Sequence, residues 1–287
     1  VHTGGRRQGA RRRRVRELHL FAGIGGGILG GMLLGHRCVG AVEIDPYCRR
    51  VLEARQRDGI LEPFPIHDDI KTFDGTAWRG RVDVVCGGFP CQPWSSAGKR
   101  LGAADPRHLW PEMARVVAEC RPAYVFAENV SMAAFEEPWR DLRGLGYRVP
   151  PALCLGAVDV GAPHRRNRWW LLAADANCER GRGQKEPLKN LVSDVRWTPQ
   201  LRHWKGEAEP AMANSDRKGL EERQGERGDA RAQQPTAVGG RWWATEPRVG
   251  RVAHGVPARV DRLRSLGNAQ VPAVAAAAFR ELMVRLP

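Results

Sequence analysis

The sequence predicts an α/β protein built on a mostly parallel sheet with helices on both faces. Three observations carry that expectation: apolar runs of strand length recur between residues 17 and 173, glycines or carboxylates close each run, and segments of helical period separate them. Parallel strands need helical crossovers, and the crossovers pack on the faces of the sheet. Ligands in such folds bind beyond the carboxyl ends of the strands. The glycine and carboxylate clusters fall at those ends.

Taken in order, "ELHLFAGIGGGILGGMLLG" reads as a buried strand, a glycine turn and a helix. "CVGAVEIDPYCRRVLEAR" repeats the plan, with a strand over Val39–Ile44 and a helix started by Pro46. "VDVVCGGFP" holds a third strand, 82–86. Leu109, Met113, Val116, Val117 and Cys120 then recur at helical spacing, and "AYVFAENV" and "RWWLLAADA" are further strands. From 174 to 254 the chain turns polar, with too few aliphatics for an independent core. Trp197, Trp204, Trp242 and Trp243 would anchor a small, loop-rich lobe there. After Pro257, "RVDRLRSLGN" reads as a loop and Pro272 starts an Ala-rich amphipathic helix.

The net charge of +14 points to a polyanionic partner. Half of it comes from residues 1–16, which hold seven Arg and no acid, a composition expected of a disordered arm that is either simply solvated or a tail that contacts phosphates. No apolar run nears the roughly 18–20 residues that span a bilayer, and no apolar stretch backs the basic start, so a soluble, cytoplasmic protein is expected. The seven cysteines include no Cys-x-x-Cys pair, which implies reduced thiols and no metal site.

Three turns carry candidate chemistry for a nucleoside cofactor. "FAGIGGG" lets a ligand approach the backbone, Glu43 stands where a carboxylate accepts ribose hydroxyls, and Asp68-Asp69-Ile70 suits an adenine amino group. The absence of a Lys-Ser/Thr ending argues against ATP. Cys91 lies in "CGGFPCQPWSSAGKR" and is open to three readings: buried filler, metal ligand or nucleophile. Pro90 fixes its backbone, and Lys99 and Arg100 place cations near an anionic substrate. Glu128 ends the fourth strand, where desolvation would make it a proton donor. Arg166 and Arg168 would share one side of an extended segment and suit a phosphate or a carbonyl oxygen.

Together these residues resemble the DNA cytosine-5 methyltransferases, especially the compact prophage-type forms. "LFAGIGG" matches the family's first motif, the Glu43 and Asp69 turns its second and third, "GGFPCQPWS" its fourth, "ENV" its sixth and "GNAQVP" its tenth. The resemblance implies a Rossmann-like S-adenosylmethionine-dependent methyltransferase fold with a small, loop-rich target-recognition lobe. Residues 17–173 plus 255–287 would form the catalytic domain, and 174–254 the target-recognition region.

It further implies that Phe21, Gly23, Gly25 and Pro90 line the cofactor pocket, Glu43 holds the ribose, Ile44 and Asp69 the adenine, and Asn268 the methionine end. Double-stranded DNA would be the partner of a monomeric protein, with a cognate restriction endonuclease as a possible companion, and the target cytosine would be flipped into the pocket. Cys91 would add to cytosine C6 while Glu128 engages N3, with Arg166 and Arg168 at the carbonyl oxygen or flanking phosphates. Ser96, Lys99 and Arg100 would belong to a mobile loop that closes over the base. The eighth motif departs from its usual form, with His164 in place of Gln. Two other readings are a transfer-RNA methyltransferase and a DNA-binding relative without catalysis; Trp94-Ser95 and the pairing of Cys91 with Glu128 weigh against them.

Overall fold

The computed structural model describes residues 13–90, 108–177 and 258–286. The expectations for the first twelve residues, Cys91, Ser96, Lys99, Arg100 and nearly all of the 174–254 region lie outside the described residues. In chain order the elements are β1 (Arg16–Leu20), α1 (Gly26–Leu33), β2 (Arg37–Val42), α2 (Pro46–Arg57), β3 (Ile66–His67), β4 (Val84–Gly87) and α3 (Trp110–Cys120). Then come β5 (Tyr124–Asn129), α4 (Glu136–Gly144), β6 (Tyr147–Arg148), β7 (Leu153–Leu155), β8 (Arg168–Asp175), α5 (Arg259–Asn268) and α6 (Pro272–Arg285). No helix among the described residues is long and apolar enough to cross a membrane.

The sheet runs β3-β2-β1-β4-β5-β8-β6, with β7 paired to β8. β1 to β5 are mutually parallel and β8 is antiparallel to β5. Strand order therefore reverses between β1 and β4, opening a crevice beyond their carboxyl ends. This is the mostly parallel sheet that the alternating runs predict and the Rossmann-like arrangement that the resemblance implies.

Side chains alternate across the sheet as its period of two requires. Cys86, Phe126, Trp170 and Leu172 face the cluster that contains α6, whereas Val85, Val125, Ala127 and Leu171 face the one that contains α3. Both faces are buried, which is why the strands read as unbroken apolar runs. Pro46 occupies the first turn of α2 and Asp45 caps it, its Oδ1 accepting the Tyr47 N–H at 2.8 Å.

Three expectations need correction. The basic arm does not extend to residue 16: Val15 is buried, Arg16 opens β1, Arg13 and Arg16 pair with Asp83, and Arg14 pairs with Glu62. Burial alone would raise the Asp83 carboxyl, but the Arg16 donors outweigh it and hold the group below its ordinary value. "RVDRLRSLGN" is a helix and not a loop; its apolar Val260, Leu263 and Leu266 are exposed, so it lacks the buried stripe that marks helices in sequence. The Ala-rich α6 is not amphipathic in its first half, since residues 273 to 279 are all buried. Small side chains let it press on α1, where a Cβ added at Gly30 would sit 2.9 Å from that of Ala275.

One polar cluster interrupts this core. Glu17 is buried on β1, its Oε2 2.9 Å from His19 Nε2 and its Oε1 2.7 Å from His36 Nδ1. Cys86 lies beside it, because β1 and β4 pair His19 with Cys86. Burial and the neighbouring Glu17 push the Cys86 thiol well above its ordinary value. Both Glu17 oxygens are thus occupied by imidazoles. Burial would raise Glu17, but the two histidines prevail and lower it from 4.5 to about 2.

A carboxyl lowered on folding stabilises above its unfolded pKa and loses that contribution as pH falls through the folded one. Glu17→Gln should therefore lower the urea midpoint at neutral pH, by about 3 kcal/mol in stability. The gap to wild type should close as pH falls from about 4.5 toward 2. A gap constant over that range would contradict the charge assignment.

Candidate active site

The site is assembled at the switch point from the turns that follow β1, β2, β4 and β5. Phe21, Gly23 and Gly25 all take left-handed φ values, 55°, 55° and 91°. Glycine is needed at 25 for a second reason, since a Cβ there would lie 2.9 Å from Leu52 Cδ2 of α2. Glu43 clamps this turn from the end of β2: its Oε2 accepts the Gly23 N–H at 2.6 Å and its Oε1 the Asp45 N–H at 2.8 Å. A Cβ at Gly23 would meet no atom within 4 Å, so the backbone there faces open space.

Beyond β4, Phe89 packs into the core with ring centroids 5.4 Å from Trp110 and 6.0 Å from Phe135. Asn129 Nδ2 donates to the Phe89 carbonyl at 3.1 Å. This buried amide, given no role in the sequence reading, fixes the chain two residues before Cys91; its only signal was its place directly after Glu128. Pro90 follows Phe89, half-buried.

Glu128 sits at the end of β5, buried, with Oε1 3.1 Å from Arg168 Nε and Oε2 3.3 Å from Gln270 Nε2. A Cβ at Gly88 would be 2.8 Å from Oε2, so the carboxyl lies directly over the turn after β4. Desolvation raises the Glu128 pKa, and Arg168, Gln270 and Arg166 offset this only in part. A buried carboxyl raised in this way at a cleft is suited to proton donation.

The structure brings Phe21, Gly23, Gly88, Glu128, Asn268 and Gln270 to one cleft. Ile44 and Asp69 are not among the residues that line it. Ile44 is 66% exposed beyond β2, and Asp69, two residues past β3, accepts the Lys71 N–H at 2.9 Å in a tight turn. Arg166 departs from its expected place. It has a left-handed φ of 40°, β8 starts only at Arg168, and its Nη2 donates to the carbonyls of Leu266 at 3.1 Å, Gly267 at 2.7 Å and Ala269 at 2.6 Å. Arg168 faces the Glu128 carboxyl, whereas Arg166 staples the link between α5 and α6.

A doubly wound sheet with a clamped glycine turn and a raised carboxyl across the switch point defines a Rossmann-like domain of the nucleoside-cofactor-binding class. The chain belongs to the C-5 cytosine-specific DNA methylase family, whose profile matches residues 15–237. It is 38% identical over 159 residues to the type II methyltransferase M.PspPI of a Psychrobacter species, covering 53% of this chain and 37% of that protein. Against the type II methyltransferase M.Eco47II of Escherichia coli it is 36% identical over 165 residues, covering 54% and 38%. Against M.NgoMIV of Neisseria gonorrhoeae it is 37% identical over 200 residues, covering 63% and 62%. The chain thus spans less than two thirds of the length of these curated relatives.

The two arginines are separable by amide exchange. Arg166→Ala should speed exchange in residues 266–270 about tenfold, as expected for losing about 1.4 kcal/mol of hydrogen bonding. Arg168→Ala should leave that segment unchanged. Equal protection in wild type and Arg166→Ala would contradict the staple.

Proposed function

We propose that this chain is a DNA (cytosine-5) methyltransferase that acts on a flipped cytosine in double-stranded DNA. The observation that carries the reading is the Glu128 carboxyl, buried and raised, lying over Gly88 three residues before Cys91 and across the switch point from the glycine turn clamped by Glu43. A raised carboxyl at a cleft beside a clamped glycine turn, with a cysteine three residues along the chain from Gly88, suits covalent catalysis.

The donor fits the residues present. The open backbone at Gly23 and the Glu43 carboxylate would hold S-adenosylmethionine, with Phe21 and Asn268 bordering the same cleft. When bound, this cofactor supplies the methyl group that cytosine C5 receives. Cys91 as thiolate forms a bond to C6 while Glu128, protonated, donates to N3, and electron density moves to C5. After C5 is methylated, loss of its proton and elimination of the Cys91 sulfur restore the aromatic ring and the free thiolate. Arg168, 3.1 Å from Glu128 Oε1, would keep the carboxyl oriented and meet the cytosine carbonyl oxygen. The mechanism uses no metal. The proposal includes a monomeric, cytoplasmic protein, and a companion endonuclease fits the type II names of the relatives.

Transfer of labelled methyl groups to duplex DNA and to transfer RNA by the purified protein tests the substrate. Duplex DNA should be labelled. Cys91→Ser should abolish labelling with cofactor binding retained, and Glu128→Gln should lower turnover about 10²–10⁴-fold with the fold intact. Because Glu128 must carry a proton, wild-type activity should fall as pH rises through its raised pKa. Full turnover in Cys91→Ser, or labelling of transfer RNA alone, would reject the proposal.

A further inference from the structure

The chemistry above assigns no part to Gln270, yet three glycines from two separate motifs make room for it. A Cβ at Gly26 would lie 2.2 Å from the Gln270 carbonyl oxygen, and one at Gly27 would lie 2.5 Å from its Oε1. One at Gly88 would lie 3.2 Å from its Nε2. All three approaches are closer than ordinary van der Waals contact: at Gly26 a side chain would strike the Gln270 backbone, and at Gly27 it would drive the Gln270 amide from its seat. Glycine inside a helix destabilises it by roughly 1 kcal/mol against alanine, so Gly26 and Gly27 in α1 are explained by what they admit.

The side chain spans the cleft. Its oxygen end packs on α1, directly after the glycine turn, and its nitrogen end reaches Glu128 Oε2 at 3.3 Å. The Arg166 staple on the carbonyls of residues 266, 267 and 269 holds the chain just before it. An amide is suited to this position because it offers both donors and an acceptor, so it can partner a carboxylate or, with the amide turned, a protonated carboxyl.

We propose that Gln270 is a positioning residue, seated by Gly26, Gly27 and Gly88, that ties the helix of the glycine turn to the Glu128 carboxyl and sets that carboxyl's protonation. This inference rests on the methyltransferase reading for its consequence, though not for its test. Among the described residues, the charged groups about Glu128 are Arg168 on β8 and Arg166 before it, and His19 of β1 lines the same cleft. All three remain in a Gln270 variant. An N–H donated to a carboxylate favours the charged form, so removing it raises the pKa.

The test is the carboxyl titration of Glu128 followed by carbon-13 NMR, the resonance being assigned by its loss in Glu128→Gln. Gln270→Met keeps the packed volume without the amide and should move the midpoint up by about 0.5 to 1 pH unit. Gln270→Glu keeps the shape, adds a second carboxyl, and should move it further. A purely structural role would shift thermal stability alone and leave the midpoint in place. Unmoved midpoints in both variants, or a downward shift in Gln270→Met, would overturn the proposal. In turnover the alkaline limb of the pH–rate profile should rise by the same amount as the NMR midpoint. Wild-type protein inactive on duplex DNA would count against the methyltransferase reading, while the NMR midpoint would still decide the role of Gln270.

Discussion

One close approach organises the cleft: the link between α5 and α6 lies so tightly against the start of α1 that no side chain fits at Gly26, and one at Gly27 would displace the Gln270 amide. Because the two segments are more than 240 residues apart in the chain, this contact is what closes the domain around its site. It brings Asn268 and Gln270 to the same cleft as Phe21 and Gly23, and it depends on a row of short side chains in α6 that allows the helix to lie close to α1. A bulky residue at either surface would separate α1 from the α5–α6 link that carries Gln270 to Glu128. The glycines of "GIGGG" therefore serve packing as much as ligand approach.

Three buried carboxyls show how the fold assigns different fates to one functional group. Glu17 is lowered because two imidazoles meet it inside the core, and Asp83 because Arg16 reaches it where β1 and β4 begin. Glu128, with Arg168 and an amide for partners, is the one of these three in which burial prevails. The first two stabilise as anions and hold β1 in register with its neighbours. The third stands at the cleft with its proton more firmly held, which is the property a donor at a ring nitrogen needs. Chemistry and stability are thus separated by counter-ions supplied strand by strand.

Most of the fold was legible because strands buried on both faces produce apolar runs that no surface helix shares. The runs at β1, β2, β4, β5 and β8 were visible for that reason. β3, β6 and β7, with two or three residues each, carry too little pattern to be seen. Of the predicted site residues, Glu43 and Glu128 lie at strand ends as the runs imply; Glu128 lines the cleft, and Glu43 holds the Gly23 turn that borders it. Arg166 was not: strand periodicity was assumed for a segment that first passes through a left-handed residue, and this turns the guanidinium toward the α5–α6 link. The Glu17 network was equally hidden, since it depends on the register of β1 with β4 and on His36 before β2. Gln270 is paired with Glu128 across 142 positions, which no local pattern reports.

The central claim, that this cleft performs covalent methyl transfer to cytosine C5, is tested most directly with duplex DNA carrying 5-fluorocytosine. Fluorine at C5 cannot leave as a proton does, so elimination of the sulfur is blocked after methylation. The account predicts a stable protein–DNA adduct, formed only with S-adenosylmethionine present, whose mass spectrum locates the linkage at Cys91. Failure to form an adduct on DNA that the protein methylates, or linkage at another residue, would contradict it.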